Sequence, residues 1–113
     1  MNELKISPET ARDLAEIKRY IAVELKNRAA ADRVVRSILK SLRILTEYAE
    51  AGMSLEAKTE YPSDLRMLSC EKHIVFYRAE GSTVYVARII NGRQDYLRIL
   101  FGDEASGNPA IQP

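Results

Sequence analysis

The sequence predicts a small α+β domain in the order β-α-α-β-β-β: an N-terminal strand, an antiparallel helix hairpin, and a C-terminal three-stranded antiparallel meander ending in a short helix. Three observations predict it. Apolar residues recur at three- and four-residue steps through two long segments, first Leu14, Ile17, Ile21 and Leu25, then Val34, Ile38, Leu42, Leu45 and Ala49, which is the period of a helix with one buried face. From Leu65 to Ile90 the period becomes two, in three runs separated by short polar breaks. The chain has 113 residues, 46% of them hydrophobic, which suits one core and not two. A single domain over residues 1–101 is therefore expected, with the polar, glycine- and proline-containing stretch 102–113 as a disordered tail.

Residues 3–6 alternate polar and apolar, with Leu4 and Ile6 on one side, as a short half-buried strand does. Ser7-Pro8-Glu9 then opens a helix: a hydroxyl to accept from free amides, a proline suited to the first turn, and an acid favoured by the helix dipole. That helix is expected to run to about Lys26, with Asn27 as its stop. Residues 28–32 form a brief turn or begin the second helix, whose stripe Val35, Leu39 and Ile44 widen and which Gly52 ends. So short a connector makes the two helices antiparallel. Residues 53–64 hold no sustained period and contain Pro62, so they read as a loop crossing from helices to sheet.

Strands are expected at 65–70, 73–78 and 84–90. Glu80-Gly81-Ser82 suits a hairpin loop, whereas Glu71-Lys72 is poor tight-turn chemistry and leaves the first hairpin's register the least defined. With a two-residue turn there, alternation collects Leu65, Met67, Ile74, Phe76, Val84, Val86 and Ile90 on one face. Arg66, Leu68, Cys70, His73, Val75, Tyr77, Tyr85, Ala87 and Ile89 share the other. The first face is the better core and the expected seat of the helix hairpin, and the second is expected to stay open and carry function. Arg88 falls on the core face, so it needs a carboxylate partner or a way out, or else the register is shifted by one. Asn91-Gly92-Arg93 makes an exit turn, and Asp95 can cap a short helix over 96–101.

Seventeen basic and 16 acidic residues give a net charge of +1, so no global field points to nucleic acid, and any such role needs a local patch. The single cysteine, Cys70, rules out an intrachain disulfide framework and a cysteine-rich zinc site, and suits a reducing compartment. Without a run of about 18 apolar residues or a charged-then-apolar leader, a cytoplasmic protein with no membrane association is expected. No phosphate-cradling glycine loop, nucleophile elbow or metal-spaced ligand cluster is present, and His73 is the only histidine, so neither metal nor cofactor is expected. What remains is Arg66, Arg78, Arg88, Arg93 and Arg98 with Tyr77, Tyr85 and Tyr96. Arginine forks grip phosphates and tyrosine faces stack on bases, although the same residues serve as solvated or half-buried sheet positions.

The words SPETARDLAEIKRYIA, HIVFYR and VYVARIINGRQDYLRILF, in this order and spacing, resemble toxins of the RelE/ParE superfamily from bacterial type II toxin–antitoxin operons, over residues 3–101. The resemblance rests on Asp13, Leu14, Ile17, Tyr20 and Ile21 in the first helix, the IVFYR strand, and the Arg88, Gly92, Arg93, Asp95, Tyr96 ending. It implies a compact growth-inhibiting toxin held inactive by a cognate antitoxin whose tail wraps it as helix or strand. It leaves two activities open. RelE-like members cut mRNA on the ribosome, for which Arg66, Arg93 and Tyr96 are the matching catalytic candidates. ParE-like members poison DNA gyrase by binding it, and here Tyr77, Tyr85, Arg88, Arg93, Tyr96 and Arg98 are candidates for contact with target or antitoxin. The GRQDY ending and the long helix hairpin lean to the ParE side. An inactive module that only binds antitoxin is the third reading.

Overall fold

The computed structural model describes residues 1–106 and follows the expected order, with two additions in the crossing segment. Its elements are β1 (Glu3–Ile6), α1 (Pro8–Arg19), α2 (Arg28–Glu47), β2 (Met53–Ser54), α3 (Leu55–Thr59), β3 (Arg66–Cys70), β4 (His73–Glu80), β5 (Thr83–Asn91), α4 (Tyr96–Phe101) and α5 (Asp103–Ser106). The start of α1 is as the sequence dictates: the Ser7 hydroxyl accepts from the Thr10 amide at 2.9 Å, and Pro8 occupies the first turn. Its end is not. A π-helical segment, Tyr20–Glu24, follows Arg19, and the Leu25 amide donates to the Tyr20 carbonyl at 3.0 Å. Lys26, at φ 51°, then reverses the chain, and the Asn27 side chain caps α2 by accepting from Ala30 N at 3.0 Å. Of the tail expected to be disordered, Asp103–Ser106 form a helical turn with Ala105 buried, and residues 107–113 lie outside the described residues.

The sheet is mixed and five-stranded, in the order β1-β5-β4-β3-β2, rather than a meander with a separate N-terminal strand. β1 runs parallel to β5, and the other neighbours are antiparallel. The first hairpin keeps the expected register, Cys70 opposite His73 and Met67 opposite Phe76, because Glu71 takes the left-handed conformation (φ 55°) that its turn requires. The second hairpin departs from it twice: Glu80 pairs with Thr83, so the loop is the two residues Gly81-Ser82 and not Glu80-Gly81-Ser82. Phe76 pairs with Arg88 but Tyr77 pairs with Val86, so Ala87 is an extra residue in a β-bulge.

The shorter loop and the extra residue together correct the face assignment. Because side chains alternate, an insertion moves everything before it to the opposite side, and Val84 and Val86 join Val75, Tyr77 and Ile89. The helix hairpin packs there, with Ile38, Leu42, Leu45, Leu14, Ile17 and Val34 against Leu68, Cys70, Val75, Tyr77, Val84, Val86 and Ile89. This is the face expected to be open. The other face is covered too: Leu65, Met67, Ile74, Phe76 and Ile90 lie beneath Leu55 of α3 and Tyr96, Leu97 and Leu100 of α4. Val75, Phe76 and Tyr77 are consecutive and all fully buried, which only a strand covered on both faces allows.

Candidate functional site

The bulge in β5 is held from above by α1. Ser7, Thr10 and Asp13 stand at three-residue steps and so share one side of the helix and its cap. The Ser7 hydroxyl donates to Ala87 O at 2.8 Å and the Thr10 hydroxyl to Val86 O at 3.1 Å. Asp13 accepts from Ile89 N at 2.9 Å and takes the Arg88 guanidinium in a two-pronged pair, both contacts at 2.8 Å. The hydrogen bonds to Asp13 raise the Arg88 pKa against the opposing effect of burial. Arg88 is therefore a structural ion pair, the first of the outcomes foreseen for it; the one-residue register shift falls on Val84 and Val86 instead.

Arg66 and Tyr77 do not form an open surface. The Tyr77 hydroxyl lies inside the protein, donating to Ala49 O at 2.8 Å and accepting from Gly52 N at 2.9 Å. Arg66 Nη2 donates to Gly52 O at 2.6 Å and Glu50 O at 3.3 Å, while its Nε is buried without a hydrogen-bond partner among the described residues. Together they buckle the turn that leaves α2. Gly52 is required there because a Cβ would stand 2.5 Å from Met67 O and 2.9 Å from the Tyr77 ring.

The other candidates are dispersed. The Tyr96 ring packs 5.2 Å from that of Phe76, on the sheet face opposite Tyr77. Tyr85 is half-buried, across from Arg78 and Lys5 on its neighbouring strands, with Lys5 Nζ 5.9 Å from its ring. Arg98 is exposed on α4, and Arg93 is exposed in the exit turn, where its amide donates to Asn91 Oδ1 at 2.9 Å. Arg66 sits in the row of Tyr77 and Val86, whereas Arg93 follows Asn91 in the row of Cys70 and His73. Those rows are four residues, or about 13 Å of strand, apart. Arg66, Arg93 and Tyr96 are thus not brought together.

What the fold does build is a cleft of about 870 Å³ between the hairpin tip and the end of the sheet. Ile17, Ile21, Val34 and Ile89 give it an apolar wall; Lys72, His73, Asn91, Arg93 and Gln94 form the sheet-side rim. The π-helical segment sets Tyr20, 50% exposed, and Leu25, 56% exposed, at its mouth. Two of its cations are engaged, Arg88 by Asp13 and Arg33 by Glu71 at 2.9 Å. The Arg33 hydrogen bond, and then one from Ser37, hold the Glu71 carboxyl below its ordinary range. Lys72 and Arg93 line the cleft with no carboxylate within ion-pair distance among the described residues. His73 is half-buried, and desolvation pushes its pKa down against the attraction of Glu71. No group of three or more His, Cys, Asp or Glu able to hold a metal occurs among the described residues. Sequence reasoning placed Arg93 at this end but missed Lys72, Tyr20 and Leu25, because periodicity assigns Leu25 to the buried stripe and does not register the π-helical turn.

A helix hairpin on one face of a mixed sheet, two short helices on the other, and an apolar cleft with a basic rim define a small α+β domain with a candidate binding cleft. The same chain trace occurs in the chromosomal ParDE toxin–antitoxin system from P. aeruginosa, at a TM-score of 0.67 and 26% identity, covering 80% of this chain and 96% of that one. A conserved hypothetical protein from Helicobacter pylori is looser, with a TM-score of 0.43 and 11% identity over 83% of this chain and 98% of that one, too distant to carry an argument. No curated protein matches this chain in sequence. The family model for the ParE toxin of the type II toxin–antitoxin system parDE matches residues 4–96. The chain belongs to the ParE toxin family.

Proposed function

We propose that this chain inhibits DNA gyrase by binding it, and that a cognate antitoxin neutralises it in the cytoplasm. Family membership supports a toxin, and the P. aeruginosa relative belongs to a ParDE pair. The observation that carries the choice of target is the state of Arg66. Strand cleavage through the 2′-hydroxyl needs cations free to meet the charge developing on phosphate. Arg66 is instead bound to the carbonyls of Glu50 and Gly52, about 13 Å of strand from Arg93. A gyrase-binding inhibitor needs no such assembly.

The cleft is the seat we assign to the antitoxin. Its apolar wall suits one face of an amphipathic segment, and Lys72 and Arg93 suit acidic residues on that segment's flank. No helix among the described residues is long and apolar enough to cross a membrane.

Induced expression without antitoxin tests the reading in cells. Growth arrest with intact mRNA is expected. Codon-phased mRNA cuts in primer extension, lost in Arg93→Ala, would reverse the choice in favour of ribosome-dependent cleavage. Undisturbed growth would leave only an antitoxin-binding module.

A further inference from the structure

The outer side of α2 carries a line of charge that neither the fold nor the cleft uses. At 100° per residue Arg36, Lys40 and Arg43 all point within about 40° of the direction opposite Ile38, a fully buried residue of the helix. All three are exposed, and none has a carboxylate within ion-pair distance among the described residues. Arg36 and Lys40 stand at i,i+4 and Lys40 and Arg43 at i,i+3, spacings at which like charges disfavour a helix. Lys40 has no acid one turn away in either direction. Asp32 and Glu47 bound the line at its two ends.

We infer that this line is a contact for the phosphate backbone of duplex DNA, the local patch that a net charge of +1 leaves to be found. From Arg36 to Arg43 the helix rises about 10.5 Å, and one DNA strand carries a phosphate per about 3.4 Å of axis, so three cations face about three phosphates. Arginine forks add two-pronged contacts that fix the register. A lipid surface fits poorly, because the apolar face of α2 is buried in the core and the exposed Leu39 and Ile44 lie on opposite flanks of the line. An acidic protein surface fits less well, since no aromatic anchor stands between Arg36 and Arg43. The inference goes beyond gyrase inhibition and is tested on DNA alone, so either can fail without the other.

The test is fluorescence anisotropy of a labelled duplex of arbitrary sequence with the purified protein, over 50 to 200 mM salt. Three phosphate contacts contribute about 2.7 to the slope of log affinity against log salt, or about 40-fold across that range. In Arg36→Gln/Lys40→Gln/Arg43→Gln the slope is expected to fall by about this amount, and in Arg36→Lys/Arg43→Lys to persist. The proposal is overturned by an unchanged slope in the glutamine variant, or by no binding of wild-type protein at 50 mM salt. Displacement of the duplex by poly-glutamate at equal charge concentration also overturns it, in favour of an acidic protein surface. Circular dichroism checks folding; should the glutamine variant unfold, a wild-type slope shallower than about 2.7 overturns the inference by itself.

Discussion

Replacing Asp13 with alanine removes three hydrogen bonds at once, two from the Arg88 guanidinium and one from Ile89 N. The Asp13 side chain is 12% exposed and that of Arg88 28%. Breaking a buried ion pair costs about 3–5 kcal/mol, but the partial exposure of Arg88 lets water reach the orphaned charge and brings this share nearer about 1–2 kcal/mol. Ile89 is buried, so its freed amide adds about 1–3 kcal/mol. Asp13→Ala should therefore destabilise the protein by about 2–5 kcal/mol, lowering the urea midpoint by about 1–2.5 M. Asp13→Asn, which keeps one acceptor, should lose about half as much. In a double-mutant cycle Arg88→Met should recover part of the Asp13→Ala loss, because it removes the unpaired charge. A loss below about 0.5 kcal/mol for Asp13→Ala, within the range of an ordinary surface change, would refute the view that α1 holds the bulge.

Tyr77→Phe strands the buried Gly52 amide and should cost about 1–3 kcal/mol in urea unfolding; a neutral result would dissolve the buckle. Gly52→Ala forces a Cβ against Met67 O and should cost about as much through overpacking. Because burial lowers the His73 pKa, the unfolded chain binds more protons as pH falls through about 6.5. Stability present above that pH should thus decline below it, levelling off beneath the folded pKa. Urea midpoints at pH 7.5 and 5.5 should differ less in His73→Gln than in wild type, and equal differences would count against it. Lys72→Glu/Arg93→Glu should weaken antitoxin binding at least about tenfold by calorimetry and leave the urea midpoint near wild type; unchanged affinity would move the antitoxin out of the cleft.

The helices and strands were legible because their signals are local. Ser7-Pro8-Glu9, two apolar stripes and the 65–90 alternation were enough to place them, and the first hairpin's register followed even though Glu71 is an unusual left-handed residue. The bulge was not legible. TVYVARIIN alternates acceptably with or without an extra residue, and its groups are held by Ser7, Thr10 and Asp13, more than seventy positions away. Arg88 was the one residue that registered the conflict. In the crossing segment, α3 has only five residues, too few to show a period, and Leu55 is buried by tertiary packing alone. The site fared worse for the same reason: Arg66 and Tyr77 do face one another across β3 and β4, but α2 and its exit turn cover them.

The central claim is best tested by incubating the purified protein with DNA gyrase and supercoiled plasmid, then counting covalent gyrase–DNA breaks after denaturation. Breaks that rise with protein concentration and vanish when the antitoxin is added first are the predicted result. Gyrase that goes on supercoiling, with breaks at background in the presence of excess folded protein, would contradict it.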